Sequence, residues 1–218
     1  MRRSRGFTLI ELLVAIAAMA LLALMSWRGL DAMGRAQALN RERGDAVLTL
    51  QTSLAQWGAD LDATVALSRT TAIDWNGTVL RLTRRGSDRD SEQPVVYVVA
   101  WLLRPDASGA GSWRRWQSPG FTSHAEWQQA WDGAAAWASD GQATDSGGAE
   151  VGLVPLADWQ LAYFRNGNWG PAVSAETLGA TTPLPDGVRL VLSLPPGSAL
   201  AGTLTRDWVR PTLTVPKS

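Results

Sequence analysis

The run FTLIELLVAIAAMALLALMSW, from Phe7 to Trp27, decides most of what this chain can be. At ~1.5 Å per helical residue it reaches roughly 30 Å, the thickness of a bilayer's hydrocarbon core. A short basic head, Arg2, Arg3 and Arg5, precedes it, and Trp27 and Arg28 follow where interfacial anchors belong. Arginines ahead of a span predict a single pass with the amino end cytoplasmic and everything after residue 28 on the far side. Glu11 does not fit a plain anchor. It sets a carboxylate inside the apolar run, at about 2–3 kcal/mol or more in lipid unless partnered.

Three readings compete for this segment. A cleaved secretory signal would have an apolar stretch of only ~7–15 residues, although Ala17, Ala18 and Ala20 supply small residues for a cleavage site. A plain anchor leaves Glu11 unexplained. The third reading comes from a resemblance. Arg5-Gly6-Phe7-Thr8-Leu9-Ile10-Glu11-Leu12-Leu13-Val14-Ala15 resembles the type III signal of type IV pilins and type II secretion pseudopilins. The resemblance implies cleavage after Gly6 by a membrane prepilin peptidase, N-methylation of Phe7, and retention of the apolar stretch in the mature protein. It also implies that Glu11 meets the terminal amine of a neighbouring subunit. Elementary electrostatics agrees with that role, because buried charges are tolerated when paired, and a pair fixes the register between helices.

The likeness extends further. Trp27-Arg28-Gly29-Leu30-Asp31 is similar to a stretch of J-type minor pseudopilins (the GspJ/PulJ family), and Leu184-Pro185-Asp186-Gly187-Val188-Arg189-Leu190 resembles a strand of that family. Arg206-Asp207-Trp208, and Trp159 to Phe164 followed by Trp169, are looser matches; residues 105–150 carry none. This resemblance implies an α+β, pilin-like fold, with a long amino-terminal helix packed on antiparallel sheet. Its implied partners are I- and K-type minor pseudopilins, the major pseudopilin, the prepilin peptidase and the inner membrane. The implied role is structural, starting assembly at a pseudopilus tip, with a periplasmic head. A minor type IV pilin would share the amino end, and an anchored periplasmic binding module or enzyme is a more distant alternative.

Composition narrows the classes. Lys+Arg and Asp+Glu both number 20, so no basic excess points to nucleic acid. With no cysteine and one histidine, disulfides, thiolate centres and multi-histidine zinc sites are excluded. No nucleophile elbow, phosphate loop or paired-histidine zinc motif occurs, and His124 begins an expected helix beside solvated residues. No catalytic residue and no cofactor is therefore expected. Asp88, Asp90 and Glu92, and Asp140, Asp145 and Glu150, could bind calcium but read first as solvated loops. The tryptophans Trp113, Trp116, Trp127, Trp131 and Trp137 read first as core, then as interface anchors or a ligand platform.

The rest divides by pattern. The leader is 1–6, the membrane part of the helix 7–27, its continuation 28–65 and the head 66–218. Val47, Leu50, Leu54, Trp57 and Leu61 recur at alternating three- and four-residue intervals, an apolar seam on one helix face, and Val65 extends it by four. Arg43, Asp45, Gln51, Gln56 and Asp62 lie opposite. Gly29, Gly34 and Gly44 weaken the helix, and a break near Gly44 is the alternative. Ala72–Trp75 and Thr78–Thr83 form a hairpin about Asn76-Gly77. Pro94–Leu103 reads as a buried strand with Gly111–Trp116 beside it, and His124–Ala138 as a helix. Residues 139–150 are a polar loop. Leu156–Arg165 turns at Asn166-Gly167, and Gly187–Leu194 pairs with Thr203–Thr214 across Pro195-Pro196-Gly197.

Overall fold

The computed structural model describes residues 7–87, 94–105, 111–140, 147–174 and 183–211. The chain divides into two compact units, Met1–Asp45 and Ala46–Ser218. The helical pattern is realised as α1 (Leu9–Asp62), which is unbroken at Gly29, Gly34 and Gly44. Among the described residues the first unit holds the earlier part of this helix, where large apolar side chains are exposed, among them Leu12, Met19, Trp27, Leu30 and Met33.

The second unit holds the end of α1 and two antiparallel sheets. The helix stops at Asp62 rather than Val65 because the chain changes partners. Thr64 donates its Oγ1–H to the Asp60 carbonyl at 2.9 Å, and the Val65 N–H bonds Thr83 O at 2.9 Å. Strands β1 (Ile73–Trp75), β2 (Val79–Ser87), β3 (Pro94–Pro105), β4 (Gly111–Gln117) and β5 (Ala149–Pro155) form sheet A in that order. Helix α2 (His124–Asp140) falls between β4 and β5. Sheet B is ordered β7-β6-β8-β9, from β6 (Asp158–Arg165), β7 (Asn168–Pro171), β8 (Gly187–Leu194) and β9 (Gly202–Val209).

Turn chemistry sets the hairpins. Asn76 Oδ1 accepts the N–H groups of Thr78 and Val79 at 3.0 and 2.9 Å, closing β1 onto β2. Asn166 and Gly167 both have positive φ, 51° and 82°, the geometry of a tight hairpin turn that an asparagine–glycine pair adopts at little cost. β3 is the central strand of sheet A, and Val98–Leu102 are buried on both faces, as its continuous apolar run requires.

Two cores flank sheet A. One joins Leu50, Trp57 and Leu61 of α1 to Leu80, Leu82, Trp101 and Trp113 of sheet A and to Trp159, Leu161, Val188, Leu190 and Leu192 of sheet B. The other packs Trp127, Trp131, Ala134 and Trp137 of α2 on Val98, Ala100, Leu102 and Trp116. The five clustered tryptophans are thus core residues, Trp113 in the first packing and the other four in the second.

A polar residue sits inside the seam of α1. Asp60 is fully buried. Its Oδ1 accepts from Gln56 Nε2 at 3.0 Å, Arg115 Nη2 at 2.9 Å and Arg84 Nη1, while Oδ2 accepts from Arg115 Nε at 2.7 Å and Trp101 Nε1 at 2.9 Å. Two guanidinium groups, an indole and an amide saturate one carboxylate, which makes its burial tolerable. Glu150 plays a similar part on the other face of sheet A, accepting from Arg114 Nη1 at 2.5 Å and Trp137 Nε1 at 2.6 Å.

Several expected boundaries move. β5 occupies Ala149–Pro155, so the loop expected through 150 ends earlier; the strand is an exposed edge with only Val154 buried, and its sequence lacks alternation. α2 runs on to Asp140. β9 ends at Val209 rather than Thr214, and 212–214 lie outside the described residues.

Candidate functional site

The amino-terminal segment is the candidate. Arg2, Arg3, Arg5 and Gly6 lie outside the described residues. Phe7 is 93% exposed and stands two residues before the first helical residue, Leu9. Between them Thr8 acts as the helix cap. Its Oγ1 accepts the Glu11 N–H at 3.4 Å, and Glu11 Oε2 accepts both the Thr8 N–H and the Thr8 hydroxyl at 2.8 Å. This reciprocal box satisfies donors that a helix start leaves open, and it sets a carboxylate against the positive end of the helix dipole.

The box explains locally why a carboxylate is tolerated in this apolar run. Thr8 was not among the residues expected to matter, yet the pattern Thr8-Leu9-Ile10-Glu11 is a legible capping signature. The same device starts α2, where Ser123 Oγ accepts the Glu126 N–H at 3.3 Å and Glu126 Oε2 accepts the Thr122 and Ser123 N–H groups at 3.0 Å each. Those two backbone bonds, with the serine, hold the Glu126 carboxyl below its ordinary value.

Within and beyond the box, Leu9, Ile10, Leu13, Val14, Ile16, Leu21 and Leu22 are all exposed. The helix is long and apolar enough to cross a membrane, and its apolar stretch is exposed rather than packed in a core. A continuous surface of this kind, far beyond the scattered apolar residues of an ordinary protein surface, calls for lipid or other helices around it.

The other candidates fall elsewhere. His124 is exposed at the start of α2, its ring stacked on Trp127 with centroids 5.3 Å apart. Asp88, Asp90, Glu92 and Asp145 lie outside the described residues, as does the side chain of Asp140. Glu150 is engaged by Arg114 and Trp137, with Arg104 Nη1 3.7 Å away. Among the described residues no group of three or more His, Asp or Glu is placed to hold a metal ion.

Comparison with known proteins adds the following. No curated protein matches the chain. Among solved structures, a chain of the GspK-GspI-GspJ complex from the type 2 secretion system of enterotoxigenic Escherichia coli is similar at 14% identity and a TM-score of 0.49, over 77% of this chain and 99% of that one. At the amino end the match is to a family: residues 1–27, spanning the basic head, Gly6, Phe7, the Thr8–Glu11 box and the apolar stretch, carry a prokaryotic N-terminal methylation motif.

Proposed function

We propose that the protein is a minor pseudopilin of a type II secretion system, of the J type. The observation that carries this reading is the methylation motif at residues 1–27 on a helix whose apolar stretch is exposed. The sequence resemblances at Trp27–Asp31 and Leu184–Leu190 narrow it to the J type, and the antiparallel sheets joined to the end of that helix suit a pilin-like head.

In this reading a prepilin peptidase cuts after Gly6, Phe7 is methylated, and Phe7–Trp27 stays in the inner membrane with Ala46–Ser218 in the periplasm. Glu11 exchanges its contact with Thr8 for the amine of a neighbouring subunit, which sets the axial register. The head joins I- and K-type partners at a pseudopilus tip, where major subunits begin to add. The work is assembly rather than catalysis, and it needs no cofactor.

The test is the culture-supernatant protein profile of a strain lacking this gene. Loss of several exported proteins with surface pili intact supports the reading. An unchanged supernatant with lost pili moves the protein to a minor type IV pilin, and no change in either discards both.

A further inference from the structure

Sheet B ends in an edge unlike the other three. β1 has three residues, β7 has four and closes on Pro171, and β5 pairs with β4 through a register shift between Ser112 and Arg114. Short, proline-bearing or bulged edges discourage pairing with other chains. β9 has none of these features. Its eight residues keep register with β8 from Gly187↔Val209 to Leu194↔Gly202, without a proline, and among the described residues no strand pairs with its outer edge.

A cavity of about 240 Å³ opens at the carboxyl end of the same strand, walled by Leu61, Leu184, Trp208 and Pro211, with Asp62, Thr64 and Arg210 as its polar members. Its walls are mostly apolar and its charge is unbalanced. Arg210 is neutralised by Asp186, Nη2 to Oδ1 at 2.6 Å. Asp62 receives the Trp208 indole N–H at 2.7 Å and has no basic partner among the described residues. The Nε of Arg210 is buried without an acceptor among them.

An apolar slot with one uncompensated carboxylate fits a lysine or arginine, whose aliphatic stem packs on apolar walls while its head reaches the charge. An open, regular edge fits the main chain of an added strand. We propose that β9 and this cavity dock an extended segment of a partner protein, which pairs along β9 and inserts a basic side chain toward Asp62. The surface lies wholly within Ala46–Ser218, with Leu61 and Asp62 contributed by the last turn of α1.

The full chain in detergent micelles is titrated with fluorescent eight-residue Thr/Val peptides carrying lysine at each position in turn, beside the same peptides with glutamine. The best lysine peptide is expected to bind about tenfold more tightly than its glutamine counterpart and to slow amide exchange across 203–209. Asp62→Asn, which keeps an acceptor for Trp208, is expected to abolish that preference. Equal binding of the two peptides, a preference that survives Asp62→Asn, or unchanged exchange in β9 overturns the proposal. So does protection of β9 in the free chain that disappears when 212–218, which contain the only lysine, Lys217, are removed; the chain's own tail would then be the occupant. Self-association of the free chain through β9 overturns it as well, in favour of a second copy.

Discussion

Asp60 of α1 and Arg115 of β4, 55 residues apart in sequence, meet in a two-point contact, Nε to Oδ2 at 2.7 Å and Nη2 to Oδ1 at 2.9 Å. The contact ties the end of α1 to sheet A, and Arg84 draws β2 to the same carboxylate. Asp60→Ala would strand two guanidinium groups in a site built for an anion. The expected loss is about 3–5 kcal/mol, the range for breaking a buried ion pair from one side. Urea unfolding of the full chain measures it, and a loss under about 1 kcal/mol would show that the latch is dispensable.

Stability should fall on acidification in part through Glu150. Burial pushes its carboxyl up, but hydrogen bonds from Arg114 and Trp137 and the charges of Arg104 and Arg114 outweigh burial and hold it below its ordinary value of 4.5. A group lowered in this way stabilises the fold fully above its unfolded value and loses that contribution as pH drops through the folded one. Glu150→Gln is therefore expected to be less stable than the parent at neutral pH, with the gap closing below about pH 4.5. A gap independent of pH would remove Glu150 from the acid response.

Tyr163 offers the opposite case. Its hydroxyl is buried with no hydrogen-bond partner among the described residues, and burial, followed by the charge of Asp74, drives its phenol well above the ordinary value against the opposing Arg165. Tyr163→Phe removes a desolvated hydroxyl without opening a cavity. A change within about 1 kcal/mol, or a gain, is expected from the unfolding midpoint. A loss of about 2 kcal/mol or more would reveal a partner for the hydroxyl.

Gly111 is held by close approach. A Cβ there would stand 2.1 Å from the Leu156 carbonyl oxygen, whose own N–H bonds Gly111 O at 2.9 Å. Gly111→Ala should cost about 1–3 kcal/mol by forcing that backbone apart. Gly170→Ala, where nothing lies within 4 Å, is the matched control and should stay within about 0.5 kcal/mol.

The Thr8 cap can be weighed directly. Thr8→Ala removes the hydroxyl that bonds Glu11 and should cost the first turn of α1 about 0.5–2 kcal/mol, read as faster amide exchange at Glu11 and Leu12, whose N–H groups bond the Thr8 hydroxyl and carbonyl. Thr8→Ser should preserve the protection. Equal exchange in all three proteins would mean that the membrane or detergent, rather than the cap, holds this turn.

The elements most legible in the sequence were those fixed by one dominant physical demand. α1 followed from apolar length and seam, the hairpins at Asn76-Gly77 and Asn166-Gly167 from turn chemistry, and β3 from an apolar run too continuous for a surface strand. What escaped depends on partners remote in sequence. Asp60 looks like an ordinary helical acid until Arg84, Arg115 and Trp101 arrive from three strands. β5 has no apolar pattern of its own because it is held as an edge by β4. Thr8 is a different case, a local capping residue set in an apolar run whose length is the stronger signal.

The position of the first cap bears on how such a chain survives being cut. Every donor and acceptor of the Thr8–Glu11 box lies on the carboxyl side of Gly6, and the helix starts at Leu9. A scission after Gly6 would therefore remove no hydrogen bond of that box. The new terminus would be born on a helix already closed, its amine one residue from Thr8, so that the proposed cleavage would change the charge of the end without first unwinding it.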